Sequence, residues 1–191
     1  LAIGASTGGI IAINAFLGAL ADDIDCPILI TQHLPAGFVP YFADQLRRGS
    51  KRRVSVAEDG QRIERGTILL APGEAHLSVV HGHGGNLARL TTGQSASGSC
   101  PSVDPMLASI GRLYGARGCG VILSGMGRDG LEGARALHAA GGLVLVQDSE
   151  SSTIWGMPGT IAREGIANAI ASPVALARLI GSVNHRTEVS L

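Results

Sequence analysis

Cysteines, aromatic residues and long apolar runs are all scarce in this sequence of 191 residues. Its three cysteines, Cys26, Cys100 and Cys119, are odd in number and none stands in Cys-x-x-Cys spacing. This pattern argues against a disulfide framework and fits a reducing cytoplasm. No apolar run approaches the roughly 20 residues that span a bilayer, and no signal peptide is visible. We therefore expect a cytoplasmic location without insertion into a membrane.

Charge is scarce as well, because only 16% of the residues are charged and the formal net charge is zero. Nucleic-acid binding usually needs a basic face, so nucleic acid is not expected as a partner. One basic cluster is present, formed by Arg47, Arg48, Lys51, Arg52 and Arg53. This cluster is typical of a solvated helix end, and an anionic docking surface is the alternative.

Aliphatic residues and glycine are abundant. Hydrophobic residues make up 45% of the chain although aromatics are only 3%, so the core is expected to be aliphatic, and the 28 glycines fit many tight turns. The length predicts a single domain over residues 1–191. Because the chain begins inside a predicted strand, we expect a domain cut from a longer protein or one lacking its first residues.

Short apolar runs alternate with helical patterns along the chain. Strands are predicted at residues 1–5, 26–32, 119–125 and 142–148, and helices at 8–20, 39–49, 103–116, 128–141, 158–165 and 173–183. Residues 54–90 form a β-rich middle segment, and residues 92–102 read as a loop. The alternation predicts an α/β fold, with helices on both faces of a mainly parallel sheet. In such sheets, functional residues lie at the carboxyl ends of the strands.

Polar residues follow three of the predicted strands. Ser6 lies in the turn Gly4–Gly9, whose G-x-S-x-G spacing gives a serine room to point outward. His33 follows the second strand, and Asp129 lies in the turn Gly125–Gly130 after a later strand. Together they supply the nucleophile, base and carboxylate of a Ser–His–Asp triad. Individually, His33 is more typical of a satisfied polar residue at a strand end, and Asp129 is more typical of a helix N-cap.

Two rival functions compete with the triad. The first turn also resembles a phosphate loop, but the only lysine, Lys51, stands in neither a Tyr-x-x-x-Lys pair nor a Gly-Lys-Ser/Thr triplet. A nucleotide-binding α/β protein stays open as the less favoured alternative. A metal hydrolase is the other rival, because His76, His81 and His83 are close in sequence, but no metal-binding motif accompanies them. We therefore expect no cofactor and no metal.

Several motifs together resemble a known family. The segments IGASTGG, QHLPAGF, PSVDPML, GVILSGMGRDG and GMPG are similar, in order and spacing, to the catalytic domain of the chemotaxis protein-glutamate methylesterases. The similarity covers essentially the whole chain. It implies a three-layer α/β/α, Rossmann-like domain. It also implies hydrolysis of γ-methyl esters on glutamates of bacterial chemoreceptors with release of methanol, and deamidation of receptor glutamines.

The resemblance also assigns roles to individual residues. It places the nucleophile at Ser6, the base at His33 and the carboxylate at Asp129. The backbone N–H that stabilises the oxyanion falls at Met126, and a supporting residue falls at Thr7. The implied partners are the cytoplasmic helices of chemoreceptors, together with a receiver domain or histidine kinase of the same pathway.

The sequence departs from the family pattern at two places. Arg128 stands where a small polar residue is expected, and the segment SASGSC lacks the basic residues that often precede PSVD. Both departures concern substrate contacts. The family's usual N-terminal receiver domain is expected to be absent from this chain. Because the resemblance implies a Glu-rich receptor helix as substrate, the basic cluster is a candidate surface beside that helix. A non-catalytic adaptor domain of the same fold is the alternative function.

Three further residues have structural interpretations. Asp104 is expected to cap the helix that begins near residue 103, and a part in positioning substrate is the alternative. Trp155 and Met157 are expected to close the core or the wall of the cleft.

Overall fold

The computed structural model describes residues 1–188, with side chains through Ser182. The strands of this part of the chain are β1 (Ala2–Ala5), β2 (Ile28–Gln32), β3 (Arg53–Val56), β4 (Thr67–Leu70), β5 (His76–Gly82), β6 (Gly85–Thr91), β7 (Cys119–Ile122), β8 (Leu143–Gln147) and β9 (Ala169–Ala171). The α-helices are α1 (Gly9–Ala19), α2 (Val39–Gly49), α3 (Val103–Tyr114), α4 (Leu131–Ala139), α5 (Met157–Arg163) and α6 (Pro173–Glu188).

Seven of the strands form one parallel sheet in the order β3-β4-β2-β1-β7-β8-β9. Strands β1, β2 and β4 are buried along their whole length, as expected for strands with helices on both faces. In the register, Ile3 of β1 lies between Ile30 of β2 and Val121 of β7. The predicted α/β class with a mainly parallel sheet agrees with this topology.

Two apolar cores cover the two faces of the sheet, which gives the molecule three layers. On one face, α1, α2 and α6 pack around Phe16, Phe42 and Leu46. On the other face, α3, α4 and α5 pack around Met106 and Leu137. Burying each of these large side chains contributes about 1.5–3 kcal/mol. The predicted aliphatic character is confirmed, because most fully buried large side chains are Ile and Leu.

The β-rich middle segment divides between two sheets. Strands β3 and β4 join the main sheet, whereas β5 and β6 form a separate antiparallel hairpin that packs on α3. Strand β9 at Ala169–Ala171 adds an edge to the main sheet where the sequence pattern predicted no element.

The cysteines and the helices bear on the expectations for the compartment. Cys26, Cys100 and Cys119 are free thiols. No helix within residues 1–188 combines the length and the apolar character needed to cross a bilayer.

Candidate active site

The turn that carries Ser6 connects β1 to α1 at the centre of the sheet. The backbone N–H of Ser6 donates to Ser124 O (3.0 Å), and the N–H of Gly9 donates to Ser6 O (2.8 Å). Gly8 has a φ of +80°, and a Cβ there would lie 2.4 Å from Thr153 Oγ1. A side chain at Gly8 would therefore be strained and would collide with Thr153, and the expectation that the glycines leave room around Ser6 stays a prediction.

Gln32, the last residue of β2, ties this turn to the next strand end. Its Nε2 donates to Ser6 O (2.8 Å) and to His33 O (3.3 Å). The His33 N–H in turn donates to Ala5 O (3.0 Å). The Gln32 side chain is buried, and its Oε1 has no hydrogen-bond partner among the described residues. Sequence reasoning did not single out Gln32, although a glutamine at the end of a buried apolar strand was a usable signal.

Ser6 and His33 line the same surface pocket, which has a volume of about 360 Å³ and an apolar wall that includes Ile10 and Ile11. His33 Nε2 lies 2.7 Å from Asp129 Oδ2. Because Nε2 faces the carboxylate, Nδ1 is the ring nitrogen left to exchange a proton. The Ser6 hydroxyl makes no hydrogen bond to any residue in the described range 1–188. Unliganded hydrolases often show such loose contacts, which tighten when substrate binds.

Asp129 is held in a buried cradle of hydrogen-bond donors and is only 2% exposed. Its Oδ1 accepts from Ser97 Oγ (2.7 Å) and Ser102 Oγ (2.6 Å), and its Oδ2 accepts from the Val103 N–H (2.8 Å) as well as from His33. Burial by itself raises the pKa of Asp129, but these hydrogen bonds outweigh it and lower the pKa to about 2. The carboxylate is therefore charged at neutral pH.

The cap alternative for Asp129 and the cap prediction for Asp104 are wrong. Helix α4 begins after Gly130, with no side-chain cap. Helix α3 is capped by Ser102, whose side chain accepts from the Asp104 N–H (3.3 Å). Asp104 instead accepts from the Gly133 N–H (2.8 Å), and burial, followed by the nearby charge of Asp129, raises the pKa of Asp104 to about 6.

The loop after β7 closes the other side of the site. A Cβ on Gly125 would lie 2.9 Å from Ser6 Cβ, so only glycine allows the loop to approach the serine this closely. The Met126 side chain is 67% exposed, and its backbone N–H donates to no acceptor within the described residues. Thr7 is exposed beside Ser6, and Arg128 is exposed beside Asp129.

The other singled-out residues lie away from this pocket or in the core. Met157 is fully buried in the core, as predicted, and Trp155 donates from Nε1 to Gln147 O (2.8 Å). The basic cluster lies where α2 ends and β3 begins, at the amino edge of the sheet, and Lys51 and Arg53 pair with Asp22 and Glu64. Its position favours the solvated helix end over a surface beside the pocket.

The three histidines of the middle segment do not gather around one point. His76 is buried at the start of β5, whereas His81 and His83 are exposed. Within residues 1–188, no group of three or more His, Cys, Asp or Glu side chains is close enough to hold a metal ion.

The sequence and the fold are similar to those of a known protein family. A family model described as CheB methylesterase matches residues 1–180. The chain belongs to the CheB methylesterase family. The family resemblance that the motifs indicated is thereby confirmed.

Relatives of this CheB methylesterase family member carry names that describe two reactions. This chain is 38% identical over 172 residues to the protein-glutamate methylesterase/protein-glutamine glutaminase of Maricaulis maris (strain MCS10). It is 44% identical over 170 residues to the protein-glutamate methylesterase/protein-glutamine glutaminase of group 2 operon of Rhodospirillum centenum (strain ATCC 51521 / SW). These matches cover 90% and 89% of the chain but only 43% of each relative. The chain therefore spans less than half the length of these relatives.

A solved structure supports the same assignment. The CheB methylesterase catalytic domain of Thermotoga maritima matches with a TM-score of 0.91 and 31% identity, and the match covers 95% of this chain and 96% of that one. The three-layer α/β fold expected for the CheB methylesterase family is confirmed.

Proposed function

We propose that this protein is a serine hydrolase that removes γ-methyl esters from glutamates of bacterial chemoreceptors and releases methanol. We include deamidation of receptor glutamines in the proposal, because an amide carbonyl is attacked by the same groups. The observation that carries the proposal is the pairing of His33 with the buried Asp129 at 2.7 Å, beside a pocket that Ser6 also lines. The two-part names of the relatives support both reactions.

In the first half of the reaction, Ser6 Oγ attacks the ester carbonyl carbon while His33 Nδ1 takes the hydroxyl proton. The charged Asp129 holds the ring and stabilises the imidazolium that forms. The C–O bond of the tetrahedral intermediate then breaks, and His33 gives its proton to the departing methoxide oxygen. Methanol leaves, and the glutamyl group stays esterified to Ser6.

In the second half, water attacks the glutamyl-Ser6 ester while His33 takes a proton from it. Collapse of this intermediate returns that proton to Ser6 and frees the glutamic acid side chain, which loses its own proton to solvent at neutral pH. In both halves the oxyanion is stabilised by backbone donors. The donor we assign is the N–H of Met126, which follows Gly125 beside Ser6 and donates to no acceptor among the described residues. Losing one such donor typically lowers kcat about 10²–10³-fold. For a glutamine substrate, ammonia replaces methanol as the leaving group.

The surface around the pocket fits a protein substrate. Ile11, Phe38, Tyr41 and Met126 are exposed, and each lies on a segment that follows a strand's carboxyl end. These exposed apolar side chains therefore share one edge of the sheet, which suits contact with another macromolecule. Arg128, at the same edge, adds a positive charge that suits the acidic neighbours of a receptor glutamate.

The proposal also covers the cellular location and the partners of this domain. Residues 1–191 act as the catalytic domain, in the cytoplasm, on the cytoplasmic helices of chemoreceptors. A receiver domain or histidine kinase of the pathway is the regulatory partner we propose.

Methanol release from a methylated receptor fragment tests this function. We expect release by the wild-type chain, loss in Ser6→Ala and His33→Ala, and retention in Ser182→Ala, a remote exposed serine on α6. A serine-directed phosphonate should label Ser6 in the wild type and the Ser182→Ala control but not in Ser6→Ala. Folded wild-type protein that binds receptor yet neither releases methanol nor takes the label would indicate the adaptor function instead.

A further inference from the structure

His76 is a buried histidine that the proposed reaction does not use. It is 4% exposed, and both of its ring nitrogens are engaged. Nδ1 accepts from the Ser102 N–H (2.9 Å), and Nε2 lies 3.0 Å from Gly93 O. Since Nδ1 must be unprotonated to accept and Nε2 must be protonated to donate, the ring is neutral in one tautomer. One side chain is therefore hydrogen-bonded to both ends of the segment 93–102.

The same segment carries the donors that hold Asp129. Ser97 Oγ and Ser102 Oγ both donate to Oδ1, and the next residue, Val103, donates its N–H to Oδ2. Three of the four donors on this carboxylate thus come from residues 97–103. The remaining donor is His33 itself.

Few other bonds fix this segment. Ser95 bonds to Ser97 and Ser99 within it, and Ser102 caps α3. Apart from these bonds, the hydrogen bonds that join residues 93–102 to other described residues go to His76 and Asp129. The conformation that presents the two serine hydroxyls therefore depends on His76.

We propose that His76 is a positioning residue for the catalytic carboxylate. Its neutral ring holds the two ends of the segment 93–102 by these two hydrogen bonds, which we call the clasp. Ser97, Ser102 and Val103 then keep Asp129 aligned on His33. The inference rests on the proposed function, because it assigns His76 to the same site. Misplacing a catalytic group by about 1 Å costs on the order of 10²-fold in rate, so loss of the clasp should be visible in kcat.

Three substitutions separate the clasp from simple packing. His76→Leu removes both hydrogen bonds. His76→Asn keeps an acceptor near the position of Nδ1, toward Ser102, whereas His76→Gln keeps a donor near Nε2 and loses that acceptor. His81→Leu is the matched control, since His81 is an exposed histidine on the same strand.

The test measures kcat and KM for these variants with the Asp129 side chain intact and in an Asp129→Asn background. With Asp129 intact, we expect kcat to fall about 10- to 100-fold in His76→Leu and in His76→Gln, with KM little changed. His76→Asn should recover part of the loss, because it keeps the bond to Ser102 and gives up the bond to Gly93. His81→Leu should match the wild type. In the Asp129→Asn background, His76→Leu should add almost nothing, because residues that act as one unit are non-additive.

A purely structural role gives a different pattern. It lowers the amount of folded enzyme and therefore cuts the rate by the same factor in both backgrounds, which would overturn the proposal, as would an unchanged kcat in His76→Leu. If His76→Leu does not fold, the polar pair His76→Asn and His76→Gln decides, and equal kcat values in the two would overturn it.

A carbon-13 NMR titration of the Asp129 carboxyl group provides a readout that needs no activity. Weakening the cradle should move the pKa of Asp129 upward from about 2 in His76→Gln but not in His81→Leu. If the wild type releases no methanol and this shift is nevertheless seen, the proposed function fails while the role of His76 stands. If the titration is unmoved, the role of His76 fails.

Discussion

Replacing Asp129 by asparagine should lower kcat strongly while leaving the fold of the site intact. The oxygen that faces Ser97 and Ser102 meets hydroxyl groups, which can accept as well as donate, so an amide NH2 fits there. The oxygen that faces His33 and Val103 meets nitrogens, and the amide oxygen fits there. The substitution therefore removes the charge and keeps the shape. We expect kcat to fall about 10³–10⁴-fold.

The same substitution should change stability in a pH-dependent way. Asp129 has a pKa of about 2 in the folded protein against an ordinary value of 3.8, and this difference corresponds to about 2 kcal/mol. Because the folded-state pKa is lowered, the contribution is present above pH 4 and disappears as the pH falls toward 2. The Asp129→Asn variant mimics the protonated form. It should therefore be about 2 kcal/mol less stable at neutral pH and equally stable near pH 2.

Urea unfolding at a series of pH values measures this difference. Both proteins should carry Asp104→Asn, because the pKa of Asp104 is raised to about 6 by burial and then by the neighbouring Asp129 charge, and its titration would overlap. A stability difference that stays constant between pH 6 and pH 2 would refute the reasoning. So would an Asp129→Asn variant with wild-type kcat, since it would show that the buried charge does not serve His33.

Two further substitutions test the surroundings of the site. Gln32→Glu replaces a buried donor to Ser6 O and His33 O with a carboxylate, which cannot donate. Urea unfolding should show that the free energy of unfolding falls by at least about 1–3 kcal/mol, and unchanged stability would contradict these bonds. Arg128→Glu should raise KM for methylated receptor roughly 5-fold at low salt and less at high salt, whereas Arg48→Glu, an equal charge change at the opposite edge of the sheet, should not; equal effects would contradict a local contact.

The central strands are predictable from the sequence because each is a short apolar run that ends in glycine or polar residues. The same rule fails in the middle segment. Periodicity identifies β3 to β6 as strands, but it does not tell which sheet a strand joins. Strands β5 and β6 form a two-stranded sheet of their own, and Leu87 of β6 also pairs with Arg62 outside the named strands. Strand β9 has three residues, too few for an alternating pattern to emerge.

The site residues divide in the same way. Ser6, His33 and Asp129 stand at strand ends, so topology alone predicts that they lie at one edge of the sheet. Gln32 and His76 bond to Ser6 and Ser102, each 26 residues away in the chain. Both serines lie in recognisable motifs, but nothing in those motifs indicates a bond to a glutamine or a histidine so far away in the chain. Serine and aspartate are both good N-cap residues, so the sequence does not tell whether Ser102 or Asp104 caps α3. Ser102 is the cap because the Asp104 carboxylate accepts from the Gly133 N–H, a donor on helix α4.

The chain order of the central strands has a consequence for folding. Strands β1 and β2 are adjacent in sequence and in the sheet, so the turn of Ser6 and the ring of His33 can be in place early. Asp129 arrives only when β7 pairs with the far side of β1, across a separation of 96 residues from His33. Contacts so distant in sequence form late because closing a long loop is entropically costly. Recovery of esterase activity during refolding should therefore report the joining of the two halves of the sheet.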